Sequence, residues 1–291
     1  MEKDLISKLR KYEIQIRKAV NAQMQGDFHS VFKGSGLEFD DIRQYQYGDD
    51  VRTVNWNVSA KGDGAYVNTF KEEKEQNVFF VVDVSASQEI GVAGAQKIDI
   101  AKEVAGVLML SAAKEQSSVG LLCYSDRKEC YIRPGKGVKH AYQLLNAVFD
   151  LKPASRQTNL ADALGLCLNM LKRKSLVVLL SDFIDENFER TLKAIAKRHD
   201  LVVVHLSDRR ETLMPSMGIV PLLDKESGQM LWINTESEDF RASFERQLLN
   251  KKQEITSICR RFGANYLFLE TSQDYVPELI KLFKIRNRTR K

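Results

Sequence analysis

The stretch "NVFFVVDVSASQEIG", residues 77–91, runs five large apolar residues into Asp83, Ser85 and Ser87. A strand this apolar on both of its alternating faces belongs inside a sheet covered on two sides, the habit of parallel α/β proteins rather than of half-solvated antiparallel ones. Its polar ending then falls at the carboxyl end of a central strand, where open α/β sheets bind their ligands.

The same pattern repeats downstream. Strand-like runs are expected at 78–85, 118–125, 129–134, 175–183, 200–208 and 265–271, with helical patterns at 95–116, 138–150, 159–173, 187–198, 238–262 and 275–286. Strands alternating with helices predict a mostly parallel sheet with helices on both faces. The run "ECYIRP" follows its predecessor too closely for a parallel crossover, so it is expected to pair antiparallel. Residues 219–234, "IVPLLDKESGQMLWIN", read as a second hairpin turning at "KESG". Upstream, residues 5–20 carry Leu5, Leu9, Tyr12, Ile16 and Val20 at helical spacing, and residues 26–76 read as irregular structure with one or two short strands. The organisation expected is an N-terminal helix with a small β-rich extension over 1–75, followed by an α/β domain over 76–291.

Three segments converge on oxygen chemistry at the strand ends. Asp83, Ser85 and Ser87 are directed to one side by strand alternation, Thr158 stands just before a helix starting at Leu160, and Asp182 ends the run "VVLLSD". Oxygen-only donors suit Mg²⁺ or Mn²⁺ rather than zinc or copper. Two carboxylates with three neutral hydroxyls leave such an ion under-neutralised, which predicts an open position for an outside anionic oxygen. Singly, each residue also reads as a cap or turn former, Thr158 as the N-cap of the following helix. Their joint occurrence in this order favours the metal site.

The order DxSxS, distant Thr, distant Asp resembles the metal-ion-dependent adhesion site of von Willebrand factor A domains. That resemblance covers roughly residues 76–286 and implies a Rossmann-like fold. It also implies that Ser85, Ser87 and Thr158 contact the ion, that Asp83 and Asp182 bind directly or through water, and that a partner's carboxylate fills the vacancy. Phe183 stands where many such domains have Gly. Residues 34–73 are similar to the segment preceding the A-like domain in domain-of-unknown-function family 58. The matching features are Gly34, Gly36, Glu38-Phe39, Arg43, Tyr45, Gly48-Asp49-Asp50, Arg52, Trp56 and Ser59-Ala60, with Asn55 and Lys61 departing from the frequent Asp and Arg. Phe39, Tyr45 and Trp56 are expected to anchor a covering hairpin to the domain, with Asp49-Asp50 and Arg52 closing a turn, and a separate binding surface is the alternative. These resemblances imply a non-enzymatic protein-binding role beside a MoxR-type AAA+ ATPase or its client.

A metal-dependent phosphohydrolase or phosphotransferase with Asp83 as nucleophile is the competing reading. It is weakened because Ser85 stands where a second acid would be needed. Neither a GxSxG elbow nor a P-loop spacing is present. The four cysteines form no CxxC and the four histidines no zinc spacing. Net charge is +5, with six basic residues in the last eleven, but no nucleic-acid motif accompanies them. The apolar runs fall far short of the roughly 20 residues of a membrane span and no secretory leader is evident, so a cytoplasmic location is expected.

Overall fold

The structure is a computed structural model that describes residues 6–11, 14, 38–62, 64–71, 76–185, 187–212, 216–223 and 228–289. The expected helix over 12–13 and 15–20, Gly34, Gly36 and most of the "KESG" turn lie outside the described residues. The chain divides into two compact units, Lys33–Gln76 on its own and Met1–Phe32 with Asn77–Lys291.

The smaller unit is built on β1 (Glu38–Gln44) and β2 (Tyr66–Lys71), paired antiparallel. Between them Asp50 caps a single 3-10 turn, Val51–Thr53, by accepting from the Arg52 amide at 2.9 Å. Asn55 caps the one-turn helix α1 (Trp56–Ser59) through the Val58 amide at 3.2 Å. The Asn55 amide also donates to the Asn68 side-chain oxygen at 2.9 Å, a neutral bond in place of an ion pair. Arg43 grips Asp49 with both guanidinium nitrogens, at 2.8 and 2.7 Å. Trp56 does not anchor this unit by burial: it is 72% exposed. The indole lies outward because the short helix it opens buries none of its residues.

The larger unit carries a six-stranded sheet. In chain order its elements are β3 (Asn77–Asp83), the small hairpin of β4 (Gly91–Val92) and β5 (Ala95–Gln96), α2 (Lys97–Lys114), β6 (Ser118–Tyr124), β7 (Lys128–Gly135), α3 (Val138–Phe149), α4 (Leu160–Met170) and β8 (Leu176–Ser181). There follow α5 (Glu189–Arg198), β9 (Asp200–Ser207), α6 (Arg209–Thr212), the hairpin of β10 (Ile219–Leu223) and β11 (Met230–Asn234), α7 (Glu238–Arg261), β12 (Asn265–Glu270) and α8 (Val276–Thr289). The order across the sheet is β12-β9-β8-β3-β6-β7, parallel throughout except for β7, which pairs antiparallel with β6 as expected.

Strand alternation divides the core. Val78, Phe80 and Val82 face one apolar cluster with α2, α3, α8 and Leu9, while Phe79 and Val81 face a second with α4, α5 and α7. Each fully buried side chain of this size contributes roughly 1.5–3 kcal/mol. The helices on both faces follow directly from a β3 with no polar face to offer water. Gly91 opens the β4–β5 hairpin with φ of +138°, and a Cβ there would stand 2.7 Å from the Gln96 Cα.

The β10–β11 hairpin forms where expected, but it forms a two-stranded ribbon of its own. Ile219, Met230 and Trp232 on one face are exposed, Trp232 by 69%.

Candidate functional site

β3 lies between β6 and β8, and the chain leaves β3 through α2 on one face and β8 through α5 on the other. The carboxyl ends of β3 and β8 therefore flank the crevice where connections diverge, the position at which such sheets take ligands. Asp83 is the last residue of β3, and Asp182 follows the last residue of β8.

The three oxygen-bearing residues of "DVSAS" are brought together, but by a turn rather than by strand alternation. The Asp83 Oδ1 accepts the Ser85 amide at 3.0 Å and the Ser85 hydroxyl at 2.7 Å, which bends the chain out of the strand into a 3-10 turn, Ala86–Glu89. The Ser85 and Ser87 hydroxyl oxygens are 3.0 Å apart. Val84 and Ala86 are buried as well. Asp83, Ser85 and Ser87 are all buried.

Thr158 lines a cavity of about 10 Å³ together with Asp83, Tyr124 and Ser125. That is close to the least volume that holds one water molecule. Thr158 does not cap the following helix. Asn159 does so, accepting from the Asp162 amide at 3.0 Å, while Asp185 accepts from the Leu160 amide at 2.6 Å.

Two residues outside the expected set complete the grip on Asp83. Ser181 donates its hydroxyl to Oδ2 at 2.7 Å, and the Gln88 amide reaches the same oxygen at 3.4 Å. Gln88 is fully buried and its Oε1 has no hydrogen-bond partner. Burial and the nearby charge of Asp182 push the Asp83 carboxyl up to about 6, against the pull of the Ser85 and Ser181 hydrogen bonds.

Asp182 is held differently. Its Oδ1 accepts the Ile184 amide at 3.1 Å, and its Oδ2 accepts the ammonium of Lys97 at 2.6 Å. Lys97, the first residue of α2, is fully buried and also pairs with Glu211 of α6. Burial lowers the Lys97 pKa, but the two carboxylates outweigh it and hold it above the ordinary lysine value. Nothing in the sequence pattern distinguished Lys97 from the other basic residues that begin helices. Ser181 was hidden because it sits inside a strand-like run.

Phe183 takes a left-handed backbone, φ of +58°, the conformation that Gly supplies without strain. It is stabilised there by the Ser181 hydroxyl oxygen, which accepts its amide at 3.0 Å, and by packing against Phe188 and His205, ring centroids 5.4 and 5.3 Å away. The Gly-to-Phe departure thus retains the backbone turn and adds a buried ring.

The residues fit a hard divalent cation by their chemistry. Buried hydroxyl and carboxylate oxygens cluster at Asp83, and Gln88, whose amide reaches the same carboxylate, carries an unpartnered oxygen. The water-sized cavity adjoining Asp83 and Thr158 is walled for the rest by Val81, Tyr124, Ser125, Leu160, Ala163 and Leu179. Among the described residues no three His, Cys, Asp or Glu side chains are grouped to hold a metal. An ion at Asp83 would therefore depend on the hydroxyls. None of the described helices is long and apolar enough to cross a membrane.

Uncharacterized proteins of Mycobacterium bovis and Mycobacterium tuberculosis are 28% identical over 287 residues, 98% of this chain and 90% of theirs. One from Mycobacterium avium is 27% identical over 53% of this chain and 94% of its own. Structural neighbours include BatB from Bacteroides thetaiotaomicron, 13% identical with a TM-score of 0.44 over 74% of this chain and 100% of that one. An aerotolerance-related membrane protein from Bacteroides fragilis is 12% identical, with a TM-score of 0.48 over 74% and 99% of the two chains. A von Willebrand factor type A protein from Catenulispora acidiphila is 15% identical, with a TM-score of 0.37 over 63% and 45%. The family model described as "Protein of unknown function DUF58" matches residues 41–254, well over half of the chain, and the protein belongs to that family.

Proposed function

We propose that this protein is a non-enzymatic binding module that uses Mg²⁺, or Mn²⁺, to capture an acidic residue of a protein partner. The observation that carries the reading is the buried cluster of Asp83, Ser85, Ser87 and Ser181 beside Thr158, with the unpaired Gln88 oxygen at its edge. Ser85, Ser87 and Thr158 would contact the ion by their hydroxyls, with Asp83 and Asp182 bonding directly or through water. When bound, the ion supplies a Lewis-acidic coordination position for an outside carboxylate oxygen. The side chains of this protein hold and shield that position rather than react. The Ser85 and Ser87 hydroxyls bring no charge, so the ion remains attractive to an anion.

The partner we assign is a MoxR-type AAA+ ATPase or its client, acting in protein maturation or complex assembly in the cytoplasm. The partner class is what the resemblance of residues 34–73 to the family's signature implies, and the four free thiols suit a reducing compartment. Binding to the purified MoxR-type ATPase of the same organism, measured in Mg²⁺ and in EDTA, tests the assignment. Binding of the wild type that disappears in EDTA and in Ser85→Ala supports it, and binding indifferent to both rejects it.

A further inference from the structure

We infer that Lys97 is a built-in competitor for the divalent cation, sharing the carboxylate of Asp182 with it and so setting how tightly the site holds metal. The inference rests on the metal-site reading above and deepens it. Lysine is among the residues least often found fully buried, and Lys97 has no exposed surface. Its ammonium is placed on Asp182 Oδ2 at 2.6 Å and on Glu211, whose second oxygen accepts the Asp208 amide at 3.2 Å. The other oxygen of Asp182 is taken by the Ile184 amide.

Two consequences follow from charge alone. A cation served by Asp182 shares that carboxylate with a fixed positive charge, and like charges in a poorly solvated site repel strongly. Glu211 works in the opposite sense, because it draws the ammonium toward itself and adds a negative charge nearby. The free protein therefore binds metal weakly, and an anionic ligand that adds its own charge tightens the complex. Metal and acidic partner enter together.

The test is Mn²⁺ binding to the full chain, measured by electron paramagnetic resonance and calorimetry, with circular dichroism to verify folding. Lys97→Met is expected to bind Mn²⁺ at least about tenfold more tightly than wild type, Lys97→Arg within about threefold of it, and Glu211→Gln at least about threefold more weakly. Lys97→Met also leaves two buried carboxylates unpaired, so Mn²⁺ should raise its melting temperature more than that of the wild type. A folded Lys97→Met that binds no more tightly than wild type overturns the inference. If that variant does not fold, Glu211→Gln decides, and equal or tighter binding by it overturns the inference. Asp83→Ala separates the two layers of argument. If it binds Mn²⁺ as wild type does, the metal-site reading itself fails and takes the inference with it.

Discussion

The hydroxyl of Ser181, the last residue of β8, donates to Oδ2 of Asp83, the last residue of β3, at 2.7 Å. One hydrogen bond to a charged acceptor thus ties the two central strands at the end where the candidate site lies. Ser181→Ala should cost about 1.5–3 kcal/mol in urea unfolding at neutral pH. It should also raise the Asp83 pKa further, since this bond is one of those holding it down.

Phe183 offers a test of stored backbone strain. Phe183→Ala removes a buried ring and should lose about 3–5 kcal/mol. Phe183→Gly loses the same ring but relieves the left-handed φ, so it should be about 1 kcal/mol more stable than the Ala variant. A Gly variant less stable than the Ala variant would contradict the assigned conformation.

Gln88 separates stability from metal binding. Its Oε1 is buried without a partner and its amide reaches Asp83 Oδ2 only at 3.4 Å, so relief of the unpaired oxygen offsets the loss of that long bond and Gln88→Leu should be close to neutral in thermal unfolding without metal. The same change should weaken Mn²⁺ binding by roughly tenfold, the usual cost of losing an outer-shell oxygen. Unchanged Mn²⁺ affinity would place Gln88 outside the site.

Acid titration pits two buried groups against each other. Burial holds His205 down at about 4, so its contribution to stability is present above pH 6.5 and is lost as pH falls toward 4. Asp83 is raised to about 6, so its contribution is present below pH 3.8 and is lost as pH rises through 6. Each window spans about 3 kcal/mol. In EDTA, urea unfolding from pH 6.5 to 4 should therefore show His205→Gln gaining stability relative to wild type and Asp83→Asn losing it. Parallel slopes for the two variants would refute the opposed shifts.

The cysteines supply a check on the core. Burial pushes the Cys167 and Cys259 thiols up to about 12 and Cys123 higher still, and it raises Cys130. Reaction with Ellman's reagent at pH 8 should be slow in the native protein and should reach four thiols after unfolding. Rapid native labelling of Cys123 would contradict its burial in the sheet.

The sheet was legible because hydrophobic periodicity is set by burial, and β3, β8 and β9 are buried on both faces. All six expected strands appear within two residues at each end. Asp83, Ser85 and Ser87 were legible because their spacing is local. How they meet was not, since the turn is made by Asp83 accepting its own neighbour's amide rather than by strand geometry. Lys97 and Glu211 were invisible because their pairing joins residues 114 positions apart, and only folding brings helix starts from separate crossovers together. The outward face of Trp56 was misread for a related reason: a large aromatic is usually buried, and nothing in its neighbours says otherwise.

Both tryptophans of the chain, Trp56 in the small unit and Trp232 on the β10–β11 ribbon, stand with most of their surface in water. The intrinsic fluorescence of the native protein should already be that of hydrated indole, so unfolding will scarcely move its emission maximum. The same two side chains are instead sensitive optical reporters of docking, since whatever covers either one will shift its emission to the blue without any label being attached.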